Sequence, residues 1–410
     1  MDSVRQEFLS AIHSSGRQAV IAVTGGGSLA ISDLLTVPGA SAFLLEARVP
    51  YSSPALTEWL GRAPEQSCSR ETALAMSVVA YQRARQISAD SDMAIGVGCT
   101  AALVSDRPKR GEHRAWIATQ TMNATRLIEL SLSKDMRDRA AEERLVADVL
   151  LRLLSETCGL ASLPEVVLQQ RDKLTNAGGV ADPLLVDLVA GRRTTLWTVP
   201  TDTLTRRASE GTLDDSEEKA LLARRVSLGT ATPVIWQLEP PLKPAGLLAG
   251  SFNPLHDGHR ELVRVAEQRL GGPVDFEMSC VNVDKPPLDF LTIESRCRQF
   301  IDRPVVLTHA PTFVLKSRLF PNTAFVIGID TAERIVQSKY YGGEAEMLAA
   351  LSEIRSLGGR FLVAGRLDRK SFQTLRDLGL PPSLRDLFDE ISEAEFRSDL
   401  SSTELRKQSS

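Results

Sequence analysis

Two of the chain's five histidines, His256 and His259, stand three residues apart in GSFNPLHDGH, Gly250 to His259. The stretch follows AGLLAG, a short apolar run that reads as a strand. It precedes HRELVRVAEQRL, where Leu262, Ala266 and Leu270 make the apolar stripe of a helix that Gly271 and Gly272 stop. Gly250 permits a sharp turn after the strand. Pro254 removes a donor and stiffens the loop, and Gly258 removes a side chain where another group must approach. His259 falls in the first turn of the helix, where unpaired N–H groups and the helix dipole favour an anion. Two imidazoles there can donate hydrogen bonds to phosphate oxygens. Taken alone, an HxxH has a plainer reading, in which one histidine caps the helix and the other is incidental. A metal would also suit the spacing. No third ligand stands nearby, however, and the flanking glycines fit close approach of a phosphate better, so no metal site is expected.

The elements around this loop read as α/β. AGLLAG, VDFEMSCVNV, PVVLTH, AFVIGID and RFLVAGR are short apolar strands with helices between them, the pattern of a doubly wound parallel sheet. Ligands of such sheets bind outside the carboxyl ends of the strands, where the histidine loop stands. The N-terminal half also alternates. AVIAVT runs into the glycine turn TGGG, and SLAISDLLTV reads as a helix. SAFLLEARV, DMAIGVG and RAWIATQT read as strands, and RETALAMSVVAYQRARQIS as a helix. DRAAEERLVADVLLRLLSETCGL is a long amphipathic helix with Leu145, Val149 and Leu153 on one stripe and Gly159 as its C-cap. From Ala161 to Pro244 the pattern weakens to one strand, TTLWTVP, one charged helix, LDDSEEKALLARRVS, and a proline-rich arm. The expected domains are therefore 1–160, a connecting region 161–244, and 245–410.

A length of 410 residues exceeds what one core supports. Hydrophobic residues at 43% and charged residues at 24% are those of a folded globular protein. The net charge of -4 gives no electrostatic case for nucleic acid or a membrane surface. No apolar run is long enough to span a bilayer, and MDSVRQEFLSAIHSSGRQ lacks the apolar centre of a secretion signal. The five cysteines are an odd number, scattered and without a CxxC pair. Reduced thiols in a cytoplasmic location are expected.

GSFNPLHDGH resembles GxFxPxHxGH, the HxGH motif of the nucleotidyltransferase superfamily, at Gly250, Phe252, Pro254, His256, Gly258 and His259. That superfamily carries a second motif, ISSTxIR, near its C-terminus. LSSTELR, Leu400 to Arg406, is similar to it, with leucine for each isoleucine. Ser402 or Thr403 can cap a helix there, and Arg406 falls one turn on, a cradle for the outer phosphates of a nucleoside triphosphate. Within the superfamily, VNVDKPPLDFLTIESRCRQF and AFVIGIDTAERI resemble the nicotinate and nicotinamide mononucleotide adenylyltransferases. The resemblance implies that His256, His259 and Arg406 are catalytic. Gly250, Ser251, Phe252, Gly258, Asp330, Ser402 and Thr403 would bind ATP, which carries Mg²⁺ on its phosphates. Lys285 would sit near the acceptor phosphate. Tyr340 and Tyr341, in QSKYYGG, stand where those enzymes place a tryptophan against the pyridine ring. The plain alternatives are a solvated lysine at Lys285 and a helix N-cap at Asp330.

Residues 10–158 resemble the C-terminal domain of the CinA family, which deamidates nicotinamide mononucleotide. The likeness rests on TGGG (Thr24 to Gly27), VPGAS (Val37 to Ser41) and PYSS (Pro50 to Ser53). The family's SCTGG serine aligns with Ala22, its YSN asparagine with Ser53, and its lysine falls near Leu56. Tyr51 is retained. Its later GIAGP loop aligns with GVGCT, Gly96 to Thr100, and Arg137, Arg139 and Arg144 lie where the family has arginines. An amide hydrolase without its hydroxyl nucleophile loses what it needs to open the amide, so little deamidase activity is expected. TGGG reads equally as a phosphate cradle and as a tight turn. Cys99 reads as a buried, inert thiol rather than a substitute nucleophile.

Together the resemblances imply transfer of AMP from ATP to nicotinamide or nicotinate mononucleotide, with pyrophosphate released. ATP and the mononucleotide are the implied partners, and CinA-like domains imply a homo-oligomer. The alternatives are another phosphorylated acceptor (phosphopantetheine, a sugar phosphate or an alcohol phosphate) and a non-catalytic nucleotide-binding scaffold.

Overall fold

In the computed structural model, which describes residues 3–106, 111–161, 165–215, 217, 234–240, 242–282, 286–368 and 371–398, the apolar run ahead of TGGG is β1 (Gln18–Thr24). Contacts divide the chain into Met1–Val186 with Asp284–Thr292, and Asp187–Val283 with Ile293–Ser410.

The sheet of the first unit also holds β2 (Leu44–Arg48), β3 (Ala94–Ala102), β4 (His113–Gln120), β5 (Ala124–Leu132) and β6 (Lys173–Val180), in the order β2-β1-β3-β4-β5-β6. β1 pairs in parallel with β2 and β3, and the remaining pairs are antiparallel. β1 and β3 are buried on both faces, which is why they read as unbroken apolar runs. The helix Arg139–Cys158 lays Leu145, Val149 and Leu153 into the core with Ile21, Val97 and Ile128. Gly159 ends it in the left-handed conformation at φ 76°.

Two sequence readings need correction here. The first three residues taken as strand in SAFLLEARV, Ser41 to Phe43, belong to a short helix, Ala40–Phe43, before β2. GVGCT, matched by resemblance to a loop, is the interior of β3. Its glycines serve packing instead. The helix Arg70–Ile87 lies with its backbone on the strand, and a Cβ on Gly96 would strike Ser77 O and Tyr81 N.

The second unit contains β7 (Thr195–Thr198), β8 (Trp236–Gln237), β9 (Gly246–Ala249), β10 (Val274–Ser279), β11 (Val305–Thr308), β12 (Ala324–Gly328) and β13 (Arg360–Ala364). A hairpin of β14 (Arg366–Asp368) and β15 (Ser371–Gln373) follows, then β16 (Phe388–Ile391). The large sheet runs β16-β13-β12-β9-β10-β11-β7-β8. Its first six strands are parallel, and β7 and β8 join antiparallel at the edge. From β9 the chain winds outward through β10 and β11, then returns to β9's other side for β12, β13 and β16. This is the doubly wound order expected, with the reversal at β9. Register puts Phe276 and Leu248 on one face and Leu247 on the other. Leu247 joins Phe325, Ile327, Phe361 and Val363 under the helices Ile329–Ile335 and Glu344–Ser356.

The region read as a connection thus supplies β6 to one sheet and β7 and β8 to the other. β6 left no hydrophobic pattern because it is a largely exposed edge strand, held by backbone pairing to β5. The charged helix read over LDDSEEKALLARRVS lies almost wholly outside the described residues. Among the described residues, no helix is long and apolar enough to cross a membrane.

Gly96→Ala is expected to destabilise the first unit by about 1–3 kcal/mol, because the helix backbone cannot yield to an added methyl. Thermal melting checks this, and an unchanged melting temperature would contradict the packing described.

Candidate functional site

β9 ends at Ala249, and the Gly250 N–H donates to Glu277 O on β10 at 3.0 Å. The chain then folds back so tightly that a Cβ on Gly250 would lie 2.8 Å from the Phe252 ring. Phe252 has φ 44°, a left-handed conformation that costs a non-glycine residue about 1–3 kcal/mol. Its buried ring offsets that cost by packing edge-on against Phe276 at 5.3 Å, Phe300 at 5.4 Å and His259 at 5.2 Å. The Asn253–Pro254 peptide is cis. Ser251 is exposed at the turn, and its carbonyl accepts from Arg296 Nη1 at 3.1 Å.

His256 is the N-cap residue of the helix Asp257–Leu270. Its N–H donates to His259 Nδ1 at 3.2 Å, and the His259 N–H donates to His256 O at 2.9 Å. The rings stack with centroids 3.7 Å apart. Because His259 Nδ1 accepts a backbone N–H, the proton of its neutral form belongs on Nε2. Burial, then repulsion from His256, lowers the His259 pKa to about 3, and burial also lowers that of His256. The pair is therefore a set of neutral donors at a helix N-terminus. His256 Nδ1 is buried without a hydrogen-bond partner. Gly258 is buried beneath the pair, and a Cβ there would strike Ser398 Oγ. The last described stretch of chain, leading toward LSSTELR, thus returns to the histidine loop.

Of the residues singled out in sequence, Gly250, Ser251, Phe252, His256, Gly258 and His259 come together in this loop. Asp330 lies at the carboxyl end of β12, β9's neighbour across the reversal, in the first turn of Ile329–Ile335. It is exposed and ion-paired with Arg366, while Gly328 holds the N-cap position proposed for it as the plain alternative. Tyr340 is exposed, with Lys339 Nζ 5.0 Å from its ring centroid. Tyr341 packs against the core around Phe325 and Phe361. Lys285, Ser402, Thr403 and Arg406 lie outside the described residues. Sequence reasoning missed Gln299, whose carboxamide holds the loop: Nε2 donates to Phe252 O at 3.0 Å and Oε1 accepts from Leu255 N–H at 2.8 Å. No local pattern marks a glutamine 40 residues downstream of the histidines as their neighbour.

The glycine turn of the first unit has a different occupant. The Glu143 carboxylate accepts from Gly27 N–H at 2.9 Å, Ser28 Oγ at 2.9 Å and Leu29 N–H at 3.1 Å. These are the donors that a phosphate would use at the start of the helix Ser28–Thr36. Arg139 lines the same cavity of about 470 Å³ with Thr24 and Tyr51, and its Nη2 donates to Gly25 O at 2.7 Å. Arg137 instead forms a buried pair with Asp172, and Arg144 bridges Asp33 and Asp148. Cys99 is fully buried, and burial pushes its thiol pKa far up, as an inert core cysteine requires.

Residues 247–408 match the cytidylyltransferase-like family, which makes the C-terminal region that of a nucleotidyltransferase. The competence/damage-inducible protein CihA of Agrobacterium tumefaciens is similar to the N-terminal region at 19% identity, covering 40% of this chain and 98% of its own, with a TM-score of 0.32. A competence or damage-inducible protein of Enterobacter asburiae is similar at 19% identity, covering 37% of this chain and 97% of its own, with a TM-score of 0.31. Comparison with curated proteins finds no match.

Two outcomes follow from this geometry. In ligand-free protein, His259 should stay unprotonated through an NMR titration from about pH 8 to pH 5. Its folded pKa lies below its unfolded one, so the unfolded chain binds the extra proton and stability falls as pH drops from about 6.5 toward 3. A His259 midpoint near the ordinary imidazole value would sink the assignment. Replacing Glu143 by alanine leaves two backbone donors and one hydroxyl unpaired at a partly exposed site. A loss of about 1–2 kcal/mol is expected in denaturant unfolding of the first unit.

Proposed function

We propose that the second unit transfers AMP from MgATP to the 5′-phosphate of nicotinamide or nicotinate mononucleotide. The observation that carries this reading is the pair of neutral, stacked imidazoles at a helix N-terminus, at the carboxyl end of the strand where the winding reverses. The acceptor phosphate oxygen attacks the α-phosphorus, the bond to the bridging oxygen breaks, and pyrophosphate leaves. No protein nucleophile is required, so catalysis consists of positioning and charge stabilisation. His259 Nε2–H and His256 donate to the α-phosphate region as charge builds.

Neutral donors suit this step. They strengthen their hydrogen bonds as negative charge develops and do not hold the ground-state phosphates as fixed cations would. Gly250 and Gly258 shape the loop, leaving room for the Phe252 ring and for Ser398 with the His256 ring. Asp330 offers its exposed carboxylate to the ribose hydroxyls, and Tyr340, the more exposed of the two tyrosines, stacks on the pyridine ring. Ser402, Thr403 and Arg406 are assigned to the departing β- and γ-phosphates, and Lys285 to the acceptor phosphate, by their motif positions. The divalent ion comes with the nucleotide and keeps much of its water.

The test is pyrophosphate release by the full chain from ATP or CTP with a panel of phosphorylated acceptors. ATP with a pyridine mononucleotide should turn over best, and His259→Ala should lower kcat by roughly 100- to 1000-fold, the loss expected for a transition-state donor. Turnover only with phosphopantetheine, a sugar phosphate or an alcohol phosphate would move the assignment to that acceptor. Binding of ATP without turnover on any acceptor would leave a nucleotide-binding scaffold.

A further inference from the structure

Phe252 pairs a buried ring with a left-handed backbone, and such a conformation persists only where the surroundings over-determine it. The aromatic cluster holds the ring. The backbone is held by the Gln299 carboxamide, which donates to Phe252 O at 3.0 Å and accepts from Leu255 N–H at 2.8 Å. It therefore reaches both limbs of the loop across Asn253 and Pro254. Its own position is tied down as well. Nε2 also donates to Arg296 O at 3.2 Å, and its backbone carbonyl accepts from Arg260 Nη2 at 3.4 Å, one residue beyond His259. Arg296 in turn donates to Ser251 O.

We infer that Gln299 is a positioning residue that sets the direction of the two imidazoles. The link is mechanical. Leu255 immediately precedes His256, whose N–H fixes the His259 tautomer through Nδ1. Phe252, on the other limb, rests edge-on against the His259 ring. Releasing Phe252 O and Leu255 N–H frees both supports at once. Only a carboxamide does both jobs at neutral pH. A carboxylate accepts from Leu255 N–H but turns a second acceptor toward Phe252 O, and an aliphatic side chain leaves both groups unmet. The role in turnover rests on the nucleotidyl-transfer reading above, whereas the effect on the imidazoles does not.

The experiment uses the full chain with Gln299→Leu and Gln299→Glu, ¹⁵N-labelled at histidine. In the wild type, His259 should show one tautomer, with the proton on Nε2, and both variants at neutral pH should show a mixture. With a working acceptor, kcat should fall roughly 10- to 100-fold while KM for ATP moves much less, because the misplacement acts on the transition state. Gln299→Glu should then regain activity relative to wild type as pH falls toward its carboxyl pKa, where the protonated acid donates to Phe252 O again. Loss of fold does not produce that acid recovery, so it separates positioning from simple destabilisation. A single wild-type tautomer in both variants, or unchanged kcat in both, would overturn the inference. If the wild type releases no pyrophosphate with any acceptor, the transfer reading fails, and the tautomer measurement still decides the role of Gln299.

Discussion

The hydrogen bond from Gly250 N–H to Glu277 O is the contact on which the site depends. It is the last rung between β9 and β10 and fixes where the strand stops and the histidine loop starts. Glu277 is itself held from its other end. Its carboxylate is buried, accepting from Lys316 Nζ at 2.6 Å and Thr308 Oγ1 at 2.6 Å. A buried carboxylate must find such partners, since an unpaired one costs several kcal/mol on the order of a whole domain's margin. The end of β10 is thereby pinned to β11 and to the helix Phe313–Leu319, and the turn at Gly250 inherits that rigidity.

Rigidity suits the transfer proposed for this site, in which the protein forms no covalent bond to substrate. Transfer of a phosphoryl-type group needs donors already aimed at the developing charge, because reorienting them during the reaction would raise the barrier. The imidazoles have three fixed supports: the helix turn beneath them, the Phe252 ring beside His259, and the His256 N–H on Nδ1. Burial keeps them neutral. The winding reverses at β9, and in sheets of this kind ligands bind at the carboxyl end of the strand where it does so.

The first unit begins in the same way. A buried parallel strand runs into a glycine turn and a helix N-terminus. There, however, a side chain from another helix has taken the donors. With Glu143 on Gly27, Ser28 and Leu29, the anion position is filled from within. In the second unit two stacked imidazoles, rather than a carboxylate, stand at the helix N-terminus. One backbone device thus has two chemical settings in one chain, and the difference lies in a single carboxylate contributed from far along the sequence.

The strands, the long helices and the histidine loop were legible in the sequence because each is encoded locally. Apolar runs of four or five residues mark parallel strands buried on both faces, periodic leucines mark helices, and the glycines of GSFNPLHDGH mark a turn whose backbone admits no Cβ. The doubly wound order could be anticipated from alternation alone. What the sequence did not show depends on contacts between distant residues. β6 is exposed and held only by pairing, so no side-chain pattern announces it. DMAIGVG read correctly as a strand, but nothing in that run marked Gly96 and Gly98 as the seat of a helix on β3. Gln299 and Glu143 are ordinary polar residues until the fold sets one against the histidine loop and the other in the glycine turn. The sequence by itself determined which groups could meet a phosphate. The tertiary structure decided what holds each turn, Glu143 on the donors of the first and Gln299 across the limbs of the second, because those hydrogen bonds join residues more than 40 positions apart.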